Sequence, residues 1–373
     1  MNKKEISEIK KLFSLNKCCL SSICGCYVDG NKDKVTTFRN AFMSLPDEEA
    51  HKYFKIFKNA LSGTVGKNTL NMEFPLDAEG EGTTHEMLLQ LRDSALKDDD
   101  LLDLFYNKII DNYLCAGNYL ILLANGTYDI PGKGSDNLTM DDASEYVYEH
   151  IICTICPVNL DKEGLCYNAE SNTIENKIRD WMVERPDHAF LFPAFNERNS
   201  DIHSLLYYTR NPESMQSDFI GGMLGCNAPM SAKTQKHVFE EIIEETLAED
   251  LSFEMAKTVH ENLTQYIEER KELPDTVTID KSDFKKILEE SGAGTDKMSS
   301  FEGNFNDAAG SRTQLVAGNV APGKTFDVKM PQVTVKVASD RTDLIETRVI
   351  DGKKYLLIEI TDEVEVNGMP VKP

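Results

Sequence analysis

No stretch of this 373-residue chain stays apolar long enough to cross a membrane. Its longest apolar runs, "NYLILLA" and "IICTICPV", fall far short of the ~20 residues a spanning helix needs. The opening "MNKKEISEIKKLF" lacks the continuous apolar core of a secretory signal. Cysteine is present in odd number, and nine thiols do not pair into a complete disulfide framework. These absences predict a cytoplasmic protein whose thiols stay reduced. In that compartment the patterns Asn125-Gly-Thr127 and Asn262-Leu-Thr264 carry no glycosylation meaning. No internal repeat stands out, and tryptophan occurs once, at Trp181.

Positive charge is the next scarcity. Against 63 Asp+Glu there are 40 Lys+Arg, a net of −23. The deficit is uneven: residues 1–67 hold 12 Lys+Arg and 7 Asp+Glu, a net of +5, which leaves −28 for the remainder. An acidic body repels a polyanion unless a separate basic face makes the contact. The N-terminal segment is therefore where nucleic acid would bind. The plainer reading is that negative charge keeps the protein soluble.

What is there reads as alternating strands and helices. Ile6, Ile9, Leu12 and Phe13 form one helical stripe, with Asn2 and Glu5 spaced as a capping box. "CCLSSICGCYVDG" runs into a buried strand that turns at Asp29-Gly30. A helix starts at Asp47 after Pro46, with Tyr53, Phe54, Phe57 and Leu61 toward a core. Residues 84–118 read as helical with a break at 97–100, and residues 118–130 as a strand. The loop "PGKGSDNLTMDDAS" then leads to a strand from about Glu145. "TIENKIRDWMV" reads as a short helix and "AFLFPAF" as a further strand. After Gly225 the apolar period is helical, ending in a helix capped by Ser282 and stopped by Gly292.

The expected class is α+β. A mixed-sheet domain occupies 1–225, an acidic helical segment 226–292, a flexible linker 293–325 and a small β segment 326–373, with a hairpin at Asp351-Gly352.

Four constellations are candidates for chemistry. "GNVAPGKT", Gly318–Thr325, fits G-x-x-x-x-G-K-T, but a strand-like pattern with a proline follows where a phosphate-binding loop needs a helix. Cys153 and Cys156, with Cys166 as a third ligand, have a zinc-like spacing. In a strand, however, residues three apart face opposite ways, so packing is the favoured role and no metal or cofactor is expected. Cys24 and Cys26 share one face and read likewise as filler. Asn196, Glu197, Arg198, Asp201, His203 and Arg210 gather polar groups beyond a strand. There Asp201 and His203 suit acid/base work, with Arg198 or Arg210 holding an anion. Finally, Lys52, Lys55, Lys58 and Lys67 suit phosphate contacts, their aromatic neighbours being core.

"FIGGMLGCNAPMSAKTQK" resembles a segment of the 37-kDa nucleoid-associated protein family of bacteria. The matching positions are Leu224, Gly225, Cys226, Ala232, Lys233 and Gln235. "VTIDKSDFKKIL", the linker, the terminal β segment and "IENKIRDW" follow a similar order. The resemblance runs loosely from about residue 145 to the end. The whole chain is also similar to an uncharacterised family of anaerobic Gram-positive gut bacteria. What the resemblance implies is a cytoplasmic, non-enzymatic protein that associates with nucleic acid, as a homodimer. The leading expectation is thus nucleic-acid binding through the N-terminal lysines, with Lys233 and Lys236 as secondary contacts. The alternatives are an enzyme acting on an anionic or phosphorylated substrate at Arg198, Asp201 and His203, and an acidic protein-binding scaffold.

Overall fold

The computed structural model describes residues 1–133, 139–273, 275–311, 313–321, 323, 325–360, 363–366 and 368–372. The chain forms two compact units, Met1–Ser231 and Ala232–Pro373.

The first unit opens with α1 (Lys3–Leu12), where Asn2 and Glu5 form the capping box. Next come β1 (Leu20–Val28), β2 (Lys34–Ala41) and α2 (Asp47–Ala60). Three acidic residues, Asp47, Glu48 and Glu49, fill the first turn of α2, and Lys58 sits in its last, each matching the helix dipole. Then follow β3 (Thr69–Glu73), α3 (Thr84–Asp93), α4 (Asp99–Asn112), β4 (Asn118–Lys133) and β5 (Thr139–Leu160). Short strands come after: β6 (Leu165–Asn168), β7 (Thr173–Asn176), β8 (Trp181–Val183), β9 (His188–Phe192), β10 (Ala194–Asn196), β11 (Asn199–Asp201) and β12 (Ser204–Thr209). A π-helical turn, Phe219–Leu224, closes on Gly225, whose φ of +73° is the left-handed region that glycine tolerates.

The main sheet runs β2-β1-β4-β5-β9-β12-β3, with β8 continuing alongside β5. All its strand pairs are antiparallel, where a mixed sheet was expected. Hairpins join β1 to β2 and β4 to β5, and neighbours linked so tightly must run opposite ways. The class is α+β, as expected.

Helices cover both faces of this sheet, so strand alternation divides the core in two. Ile151, Cys153 and Ile155 of β5 face the α3 and α4 side, with Cys24 and Cys26. Ile152, Cys156 and Val158 face the α1 and α2 side, with Phe13, Phe54 and Phe57. The nine cysteines are free thiols, and five of them are buried: Cys24, Cys26, Cys153, Cys156 and Cys226. Burial pushes the Cys24 and Cys26 thiols up to about 11, so they stay protonated and pack as small apolar groups.

The second unit holds α5 (Ala232–Leu247), α6 (Phe253–Glu269), β13 (Thr278–Ile279), α7 (Lys281–Glu290), α8 (Thr295–Ala308), β14 (Leu315–Val316) and α9 (Ala317–Val320). Its hairpins are β15 (Thr325–Met330) with β16 (Val333–Ala338), β17 (Ile345–Ile350) with β18 (Lys353–Ile358), and β19 (Val364–Val366) with β20 (Met369–Val371). Phe284 centres the helical core, stacked on Phe239 at 4.5 Å and edge-on to Phe301 at 5.6 Å.

Several expectations need correction. Residues 293–325 are not simply a linker: α8 buries Met298, Phe301 and Phe305. Their sparse apolar spacing is helical, and the surrounding Gly, Ser and Asn masked it. "TIENKIRDWMV" forms β7 and β8 rather than a helix, because it pairs in register with the chain before it. β5 starts at Thr139, ahead of Glu145, because it keeps pairing with β4. The cap of α7 is Asp280, whose carboxylate accepts from the backbone of Ser282 and Asp283. In the phosphate-loop-like stretch, Pro322 and Lys324 lie outside the described residues, and Thr325 opens a strand. Among the described residues no helix is long and apolar enough to cross a membrane.

Candidate nucleic-acid interface

The +5 segment supplies two edge-side strands of the sheet, β1 and β2, and two helices packed on it, α1 and α2. α1 and α2 lie on the same side of the sheet, joined by the Phe13–Phe57 ring contact at 5.6 Å. The carboxylates of α1 are turned away from solvent. Glu5 is buried; it caps its own helix and accepts the backbone N–H of Glu197 at 2.7 Å. Glu8 pairs with Arg198 at 3.1 Å.

These two contacts hold the β10–β11 turn. Its central residues, Glu197 and Arg198, have φ of +53° and +56°, the left-handed pair a two-residue hairpin requires. Neither is glycine, so the turn carries strain of roughly 1–3 kcal/mol per residue, which the α1 carboxylates offset.

With its acids facing inward, α1 presents Lys3, Lys4 and Lys11 to solvent and Lys10 half-buried. On α2, Lys55 is exposed and Lys58 half-buried. None of these six has a carboxylate at ion-pair distance among the described residues, whereas Lys52 is held by Glu48 at 3.1 Å. Lys10 donates to the Ser62 hydroxyl, which donates to the backbone carbonyl of Lys58. Burial and then the Lys58 charge lower the Lys10 pKa. Cations crowded without an intervening acid are what a polyanion relieves. Lys67 is exposed in the turn before β3. In the second unit Lys233 and Lys236 are exposed on α5, and Lys236 pairs with Glu240 at 3.9 Å. Sequence reading singled out Lys52 and missed the α1 lysines; the clue lay in Glu5, committed to a cap.

Of the other polar candidates the structure brings Asn196, Asp201 and His203 together, the Asp201 carboxylate accepting from the His203 backbone at 3.1 Å, but each side chain is engaged and Arg210 lies apart. Asn196 donates to Asp201 at 2.6 Å, and Arg198 is engaged by Glu8. His203 pairs with Glu79 at 2.9 Å, a bond that raises its pKa. Arg210 lies at the far end of the six-residue β12, roughly 20 Å along the strand, paired with Asp187 at 2.6 Å. Among the described residues no cluster of three or more His, Cys, Asp or Glu is placed to hold a metal ion.

A family model described as Domain of unknown function (DUF4317) matches residues 1–369. The chain belongs to that family. The DUF4317 match spans both units and every candidate residue above. Among curated proteins, none matches the chain.

Sequence reading also missed an open cavity of about 640 Å³ at the Arg210 end of the sheet, lined by Tyr113, His188, Asp187 and Ser214 among others. Several of its polar groups bond one another. His188 Nε2 donates to the Ser214 carbonyl at 3.3 Å, so Nδ1 accepts from the Tyr113 hydroxyl at 2.9 Å. Gln216 bonds both the N–H and the carbonyl of Leu114. The cavity's side chains thus tie the 210–218 loop to the sheet.

Burial depresses the His188 pKa to about 4, and does the same for His150, stacked on Tyr148 at 4.8 Å above Gly126. A Cβ on Gly126 would lie 2.8 Å from that ring. Between pH 6.5 and about 4 the unfolded chain binds protons at both sites that the fold refuses, so stability falls on acidification. By about pH 5 the loss is on the order of 2 kcal/mol per histidine. Urea midpoints measured from about pH 7 to pH 5 are expected to fall; a flat or rising midpoint contradicts the assignment.

Proposed function

We propose that the chain is a non-enzymatic, cytoplasmic protein of the bacterial nucleoid-associated kind. It binds duplex nucleic acid through the α1–α2 lysine layer, with Lys233 and Lys236 as secondary contacts. One observation carries the reading: six lysines on α1 and α2 have no acid partner among the described residues, and α1 spends its own carboxylates on the β10–β11 turn. The −28 on the rest of the sequence supports it by confining a polyanion to this face. The free thiols fit a reducing compartment, and the resemblance around Leu224, Gly225 and Lys233 points the same way.

Electrophoretic retardation of a short duplex at low salt tests this. Retardation that fades as salt rises is expected, because each phosphate contact releases counterions. No retardation at low salt would sink the proposal.

A further inference from the structure

An open cleft of about 470 Å³ lies on the α3–α4 side of the sheet, the face opposite α1 and α2. Its floor is built from four neighbouring strands. Arg39 of β2 pairs with Cys24 of β1, Ser22 of β1 with Asn125 of β4, and Thr127 of β4 with Glu149 of β5. Cys24 faces α3 and α4, and the two-residue alternation brings these polar side chains out on that same side. The roof is the end of α3 and the loop after it, which contribute Arg92, Asp93, Ala95 and Lys97.

The loop is held in an unfavourable conformation. Ala95 and Leu96, neither of them glycine, have φ of +51° and +60°. The sheet fixes them there: the Ser22 hydroxyl donates to the Ala95 carbonyl and Arg39 Nη1 to the Lys97 carbonyl, each at 3.0 Å. Strain of this kind persists where the surroundings enforce it, and it collects at ligand clamps.

Charge in the cleft is ordered from inside out. The Arg92 side chain is 17% exposed, and its partner Asp93, at 2.6 Å, is 59% exposed. Arg39, 40% exposed, pairs at 2.6 Å with Asp99, which is 79% exposed. Both acids therefore stand at the rim, where water and salt screen them. Arg39 reaches Asp99 and the loop through Nη1 alone, and Arg92 reaches Asp93 through Nε and Nη2. Lys97 has no acid at ion-pair distance among the described residues. The cavity beside His188 is arranged the other way, with Arg210 45% exposed and its acid Asp187 only 30%.

We propose that this cleft binds a phosphate monoester of a small hydroxylated molecule. The phosphate meets Arg39, Arg92 and Lys97, since guanidinium forks and an ammonium match its oxygens. The hydroxyl groups lie toward Asn125, Thr127 and Glu149, which supply both donors and acceptors. Glu149 repels a second phosphate, so the ligand carries one. The volume falls within the roughly 300–1,000 Å³ of small-molecule sites, which leaves room beyond the phosphate.

Isothermal titration of the full chain with glycerol 3-phosphate at low salt tests this. One site per chain is expected, weakened about 10-fold or more by Arg92→Gln or by Lys97→Gln. Lys97 is exposed, so its variant keeps the fold and decides the matter even where Arg92→Gln disturbs the end of α3. Lys353→Gln, in the second unit, should change nothing. No binding up to about 10 mM overturns the proposal, as does binding that survives both substitutions. Inorganic phosphate should bind more weakly than the ester, and equal affinity overturns the hydroxyl half of the assignment. None of these outcomes bears on duplex retardation, which belongs to the opposite face.

Discussion

Combined reversal of Lys4, Lys11, Lys55 and Lys58 to glutamate is expected to weaken duplex binding by at least about 10³-fold at low salt. Each substitution removes one phosphate contact and places a like charge against the backbone. The loss is electrostatic rather than a failure to fold. Lys4, Lys11 and Lys55 are exposed, and none of the four has an acid partner among the described residues. Surface changes of that kind shift stability by about 0.5 kcal/mol or less. Fluorescence anisotropy with a labelled duplex reads the affinity, and circular dichroism checks the fold. Reversal of Lys233 and Lys236 should cost less. Reversal of Lys353 and Lys354, on β18, should cost least. Equal losses from all three sets would mean that net charge, not a face, governs binding.

The second large effect is on stability. Phe57→Ala should cost the first unit about 3–5 kcal/mol, the usual price of deleting a fully buried aromatic ring. Phe57 is 0% exposed, and its ring meets Phe13, so it joins α2 to the end of α1 over the sheet. The surrounding side chains belong to two helices and a sheet, which collapse poorly into the resulting cavity. Phe57→Leu, which keeps most of the volume, should cost about 1.5 kcal/mol or less. Far-UV circular dichroism in urea is the suitable probe, since the one tryptophan, Trp181, is 56% exposed and reports the core poorly. A loss below about 1 kcal/mol for Phe57→Ala would mean that the α1–α2 layer is not packed as described.

Much of the first unit was legible locally. The capping box of Asn2 and Glu5, the Pro46 start of α2 and the Asp29-Gly30 turn each depend on neighbours a few residues apart. The opposite facing of Cys153 and Cys156 follows from strand geometry alone, and they do lie in different halves of the core. What stayed hidden depends on distant partners. Nothing near Glu8 announces Arg198, and nothing near His203 announces Glu79. Without those pairings the 196–203 loop looked like a site, and the emptied outer face of α1 went unnoticed. "TIENKIRDWMV" misled for another reason: it has no strong period, and its partner strand decided its conformation. α8 shows the same limit, its three buried aromatic and methionine side chains being too few to outweigh a loop-like composition.

The central claim, that α1 and α2 form a polyanion-binding face, is tested most directly by the salt dependence of duplex affinity. With five or six phosphate contacts, log K is predicted to fall against log salt with a slope of roughly −5 for the wild type. For the four-lysine variant the slope should be far shallower. A wild-type slope near zero, or a steep slope that survives the four reversals, would contradict it.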